Sequence, residues 1–145
     1  MTHLSRSPAQ TQEIAADFAR ALKGGECIAL EGELGAGKTQ FVRGLVRGLG
    51  GEPRSVSSPT FMLLNVYDTG RLTVYHLDAY RVQGAEDFEG IGFLELLEQG
   101  GVVIVEWASR VSELLPKDHF AVRIKPTGPR ERRIEMGRED VERET

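Results

Sequence analysis

Eight residues, Gly32-Glu33-Leu34-Gly35-Ala36-Gly37-Lys38-Thr39, constrain this chain more than any other stretch. They fill every fixed position of the Walker A pattern: a glycine, four free positions, then Gly-Lys-Thr. The spacing has a physical reason. Glycines let the main chain curl until successive N–H groups point inward at phosphate oxygens; a lysine then reaches the β- and γ-phosphates, and a threonine hydroxyl ligates Mg²⁺. The flanks agree. Cys27-Ile28-Ala29-Leu30 is a short apolar run that reads as a buried strand, and Phe41, Val42, Leu45, Val46 and Leu49 recur at helical spacing. Strand, glycine turn and helix N-terminus together make an anion site, with the helix dipole favouring negative charge. The sequence therefore predicts a nucleoside triphosphate site, with Leu34, Gly35, Ala36, Gly37 and Lys38 around the phosphates and Thr39 on magnesium.

A chain of 145 residues fits one domain with a proper core. The apolar pattern predicts a helix over residues 8–22, with Ile14, Phe18 and Leu22 on one face, and another over 38–49, stopped by Gly50-Gly51. Runs at 61–67 and 72–77, separated by Asp68-Thr69-Gly70-Arg71, read as an antiparallel hairpin. Residues 85–99 read as helix broken near Gly90 and Gly92, and Val102-Val103-Ile104-Val105 as a fully buried strand. A helical turn at 111–115, two last strands at 120–124 and 132–136, and a charged, fraying tail at 138–145 complete the reading. The resulting fold class is α/β: a single-domain P-loop NTPase over residues 1–145, with a mostly parallel central sheet flanked by helices, plus an antiparallel hairpin.

Composition narrows the setting. No apolar run approaches the roughly 20 residues of a membrane span, and Met1 to Ala9 lacks the apolar core of a secretory signal. One cysteine, Cys27, leaves neither an internal disulfide nor a zinc cluster to build. A cytoplasmic protein with no membrane attachment is expected. Net charge is −4, which argues against a standalone nucleic-acid binder. Arg130, Arg132 and Arg133 form the densest basic cluster and read as a solvated strand edge.

Hydrolysis requires groups beyond the phosphate loop. A metal-linked carboxylate should stand at the C-terminal end of a buried strand, and Glu106 and Asp78 both do. Glu106 follows the more apolar strand and is assigned to the metal, directly or through a water. Asp78 is then the group that orients or deprotonates the attacking water, or holds Mg²⁺ through its water shell. Thr60, in the Ser57-Ser58-Pro59-Thr60 loop, reads equally as part of an ordinary Ser/Pro connection and as a hydroxyl offered to Mg²⁺ or the γ-phosphate, as switch loops do. In a continuing strand His76, Asp78 and Tyr80 would share one face. His76 reads equally as a core histidine, Arg81 as a structural ion pair before a phosphate ligand, and Trp107 as packing beside the site or as partner surface. His3 and His119 have no supporting neighbours.

Four segments in order carry a resemblance: the Walker octapeptide, Ser58-Pro59-Thr60-Phe61, Tyr75-His76-Leu77-Asp78-Ala79-Tyr80-Arg81, and Val105-Glu106-Trp107. Together they resemble the TsaE (YjeE) family, small bacterial ATPases of tRNA threonylcarbamoyladenosine biosynthesis. The resemblance implies ATP as the nucleotide, Mg²⁺ as cofactor, and the TsaB–TsaD heterodimer as partner. That heterodimer transfers a threonylcarbamoyl group to the N6 of the adenosine next to the anticodon, and tRNA is met through it. The family's ATP hydrolysis supports repeated turnover, and the transfer itself is done elsewhere. By position the resemblance implies Thr39 and Glu106 at the metal, Lys38 on phosphates, Asp78 and Thr60 in hydrolysis, and the segment around Pro8–Thr11, with Thr11, near the base. Gln40 and Ala79 depart from the usual residues without removing a charge, and base contact from Pro129 or Arg130 has no motif behind it.

Two other readings compete. A small kinase acting on a metabolite would use residues 85–99 as a lid, but residues 82–101 hold none of the arginines with which such lids clamp phosphates. A nucleotide-dependent binding module, with hydrolysis incidental, would tolerate loss of Asp78 or Glu106.

Overall fold

The computed structural model describes residues 1–33, 35–57, 64–80, 82 and 84–140. Among these, seven strands form one sheet: β1 (Thr2–Ser5), β2 (Cys27–Gly32), β3 (Leu64–Tyr67), β4 (Val74–Asp78), β5 (Val102–Glu106), β6 (Asp118–Pro126) and β7 (Arg132–Asp140). Their order is β1-β7-β6-β2-β5-β4-β3. Helices α1 (Pro8–Ala19), α2 (Lys38–Gly48), α3 (Ala85–Gly90) and α4 (Phe93–Leu97), with a 3₁₀ segment at Ala108–Leu114, supply the cover.

The central strands β6, β2, β5 and β4 run parallel. The expected hairpin is present as β3–β4, but the other edge is antiparallel too, through β6–β7 and β7–β1. The sheet is thus mixed, with a parallel centre and two antiparallel margins. Strand β1 has no alternating apolar signal, and its Leu4 is 47% exposed; only its pairing with β7 makes it a strand. That pairing partner also runs through Arg138–Asp140, a segment expected to fray, because Phe120, His119 and Asp118 lie opposite.

Alternation along each buried strand feeds two cores. On one face Ile28, Leu30 and Ile104 pack under Phe41 and Leu45 of α2, Leu49 at its C-cap and the small residues of α1. On the other, Cys27, Ala29, Leu77, Val103 and Val105 meet Phe88 and Phe93 of α3 and α4. Burial on both sides explains why β2 and β5 read as unbroken apolar runs. Burial also pushes the Cys27 thiol up to about 12, so it remains a neutral packing group.

Helix α1 ends at Ala19, short of the expected 22, although Leu22 still packs into the core. It lies so close to α2 that a Cβ on Gly44 would stand 2.2 Å from the Gln12 carbonyl oxygen, and one on Gly48 2.5 Å from that of Ala16. Two glycines one turn apart thus let the helix backbones touch. Gly44→Val should destabilise the fold by about 2–3 kcal/mol, the scale of core overpacking. Chemical denaturation measures this, and an unaltered midpoint would mean that the helices separate freely.

Candidate functional site

Because β2, β4 and β5 are parallel, their C-terminal ends share one edge, where open α/β sheets carry their sites. The glycine loop leaves β2 at that edge and enters α2 at Lys38. Gly37 is the N-cap of α2 with φ +110° and no side-chain cap, and Gly35 has φ +81°. A Cβ added at either would meet nothing within 4 Å among the described residues. Neighbours do not crowd these positions; the turn itself demands glycine. The first N–H groups of α2 therefore face open space with the positive end of the helix behind them.

Lys38 is 6% exposed, and among the described residues its Nζ has no hydrogen-bond partner. The ammonium lies 3.5 Å from Glu106 Oε1 and 4.3 Å from the centre of the Trp107 ring. An ammonium so buried, with donors unused, is costly unless an anion completes it. Arg132, on β7, braces the same loop: its Nε donates to the Ala36 carbonyl (3.1 Å) and its Nη1 to those of Gly128 and Glu131. The solvated-edge reading of Arg132 is thereby corrected. Nothing in its local sequence could have shown this, since the contact joins residues 96 positions apart.

The two strand-end carboxylates stand side by side, Asp78 being the register partner of Glu106. Their environments differ. Burial by itself would raise the Glu106 carboxyl, but the His76 hydrogen bond and charge, with Lys38, outweigh it and hold Glu106 below the usual carboxylate range. Asp78 moves the opposite way, raised by burial and by the charge of Glu106 despite the Tyr80 N–H, Lys38 and His76. His76 is fully buried with Nε2 2.5 Å from Glu106 Oε2, so it is a core histidine that also contacts the strand-end carboxylate.

Tyr80 does not join that face. Strand β4 ends at Asp78, whose Oδ1 accepts the Tyr80 N–H (2.8 Å), and the chain turns outward. The Tyr80 ring, 41% exposed, instead packs on Trp107 with centroids 5.0 Å apart. Trp107 has φ +57°, unique for a non-glycine among the described residues, a strained geometry of the kind found at functional sites.

A cavity of about 490 Å³ adjoins the loop, with Gly35, Gly37, Gln40, Thr11, Arg130 and Arg132 in its walls. Pro8–Thr11 is the first turn of α1, capped by Ser7. Thr11 is buried, its hydroxyl bonded to that of Ser5 (2.7 Å). A larger cavity, about 570 Å³, lies between the 3₁₀ segment and β6 beside Ser112 and His119; it lacks the glycine turn and Lys38. Thr39 is half-buried in the first turn of α2. Leu34, Thr60 and Arg81 lie outside the described residues.

A buried lysine beside a glycine turn, ion-paired with one of two adjacent carboxylates at the edge of a mixed sheet and without a hydrogen-bond partner among the described residues, defines an α/β protein with an anion-receptive site. Comparison with known proteins gives the class its name. The family described as threonylcarbamoyl adenosine biosynthesis protein TsaE matches residues 5–134. The tRNA threonylcarbamoyladenosine biosynthesis protein TsaE of Bacillus subtilis is 41% identical over 128 residues, covering 88% of this chain and 79% of the relative. That of Treponema pallidum is 45% identical over 117 residues, covering 81% and 85%. The crystal structure of Bacillus subtilis YdiB superposes with a TM-score of 0.78 at 33% identity, over 97% of this chain and 86% of that one. The chain belongs to the TsaE family.

Proposed function

We propose that this protein is a P-loop ATPase that binds ATP with Mg²⁺ and hydrolyses it in support of threonylcarbamoyladenosine formation on tRNA, together with a TsaB–TsaD heterodimer. The observation that carries the reading is the buried Lys38 ammonium, without a hydrogen-bond partner among the described residues, at the end of the glycine turn. A polyphosphate is the anion that such a turn, with helix N–H groups alongside, accepts.

Each neighbour has a task under this reading. Lys38 binds the β- and γ-phosphates, and the loop N–H groups grip their oxygens. Thr39 and Glu106 would hold Mg²⁺, which when bound neutralises charge on the phosphate oxygens; magnesium commonly sits on one or two protein groups plus phosphates. The lowered Glu106 keeps its charge for that purpose. Asp78 orients or deprotonates the attacking water. Environments that push two adjacent carboxylates apart in acidity are a usual sign of divided roles. Thr60 offers its hydroxyl to the phosphate end. The cavity beside Gly35 and Thr11 takes the nucleoside. A cytoplasmic location accords with this task, and no helix among the described residues is long and apolar enough to cross a membrane.

Hydrolysis by the protein alone, with the heterodimer, and with heterodimer plus tRNA tests the proposal. Slow release of free phosphate alone, accelerated by the partners, is expected. A heterodimer that neither bound this protein nor needed its ATP for a second round of modification would end the reading. A phosphorylated metabolite in place of free phosphate would identify a kinase.

A further inference from the structure

A buried chain of contacts leads from the glycine loop to a backbone segment packed beside α2. Lys38 meets Glu106, and Glu106 meets His76 through Nε2. The other ring nitrogen, Nδ1, is 3.2 Å from the hydroxyl of Tyr67, on the neighbouring strand β3. That hydroxyl in turn donates to the Ser57 carbonyl oxygen (3.0 Å), while the Ser57 N–H approaches it at 3.4 Å. Register makes this possible: Asn65 opposes His76 and Val74 opposes Tyr67, so the tyrosine and histidine are diagonal neighbours on the face toward α2. Arg43, one turn into α2, donates to the adjacent Val56 carbonyl. The Val56–Ser57 backbone is thus held from the strands and from the helix that begins at the phosphate loop.

Two features set this chain apart from ordinary packing. Glu106, His76 and Tyr67 are all buried, so each hydrogen bond acts at low dielectric, where a displaced neighbour is felt most. Tyr67 also reaches the backbone with its only polar atom, so one oxygen serves both the His76 ring and Ser57. Resting on the ATP reading above, we infer that Tyr67 is a positioning residue. Through His76 its hydroxyl ties the Val56–Ser57 backbone to the Glu106–Lys38 pair, so occupancy at Lys38 sets the placement of the Val56–Ser57 backbone. Tyr67 touches no phosphate and takes no part in the bond-breaking step.

Tyr67→Phe removes only the hydroxyl and keeps the ring in its slot. Three measurements are made beside wild type: affinity for a non-hydrolysable ATP analogue with Mg²⁺, the ATPase kcat, and amide hydrogen exchange at Val56 and Ser57 with and without that analogue. The variant should bind within about twofold of wild type while its kcat falls about three- to tenfold, the scale of one neutral hydrogen bond. In wild type the analogue should slow exchange at Val56 and Ser57, and in the variant that response should vanish. A purely structural tyrosine would instead alter exchange equally with and without nucleotide and lower thermal stability, overturning the inference. An unchanged kcat with the nucleotide response intact would overturn it as well. Wild type that hydrolyses ATP beside such a variant ends this inference alone; wild type that binds no nucleotide ends the ATP reading and this inference with it.

Discussion

Lys38→Met should abolish tight ATP binding while leaving the nucleotide-free protein no less stable. The loss follows from removing a charged donor aimed at phosphates, worth about 1.5–3 kcal/mol, or roughly 10- to 150-fold in affinity. Retained stability follows from two opposing effects: the 3.5 Å ion pair with Glu106 is lost while Glu106 keeps His76, and a buried ammonium without a hydrogen-bond partner among the described residues is removed. Methionine keeps the apolar stem and removes a desolvated charge, so unfolding should occur at the same or a higher temperature. Glu106 retains His76 but loses one of the groups that hold it low, so its pKa rises. Calorimetric titration and thermal unfolding of the same sample measure both parts. Undiminished ATP affinity would mean that Lys38 faces no phosphate.

The second large effect separates the two carboxylates. Asp78→Ala should leave ATP affinity nearly intact and lower hydrolysis by about 100-fold or more, the range for a positioned proton acceptor. Glu106→Gln should lower hydrolysis at least as far and also remove the dependence of binding on Mg²⁺, since its charge serves the metal. Steady-state phosphate release combined with binding titrations at varied Mg²⁺ distinguishes them. Should Asp78→Ala hydrolyse ATP at the wild-type rate, its assigned role is wrong. Should Glu106→Gln bind with undiminished Mg²⁺ dependence, the metal is held elsewhere.

Local pattern exposed those features whose cause is local. The glycine loop, the helix behind it and the apolar run of β5 were legible because main-chain curvature, helical spacing and burial on both faces each leave a mark on consecutive residues. The two strand-end acids were legible for the same reason, though not their side-by-side register, which requires β4 and β5 to pair. His76 stayed ambiguous because its neighbours, Glu106 and Tyr67, come from other strands. Arg132 and β1 were invisible: one braces a loop far along the chain, and the other becomes a strand only against β7. Tyr80 was misplaced because alternation was carried two residues beyond the real end of β4, where Asp78 turns the chain by accepting its N–H.

The contact between α1 and α2 has a bearing on selectivity. The opening turn of α1 walls one side of the cavity and the start of α2 the other, and bare backbone at Gly44 and Gly48 locks the two. At these two positions backbone meets backbone, with no side chain of the glycines to act as a compressible shim. The jaws of the vice are therefore set at one gauge, and a bulkier guest cannot prise them apart without parting the helices themselves.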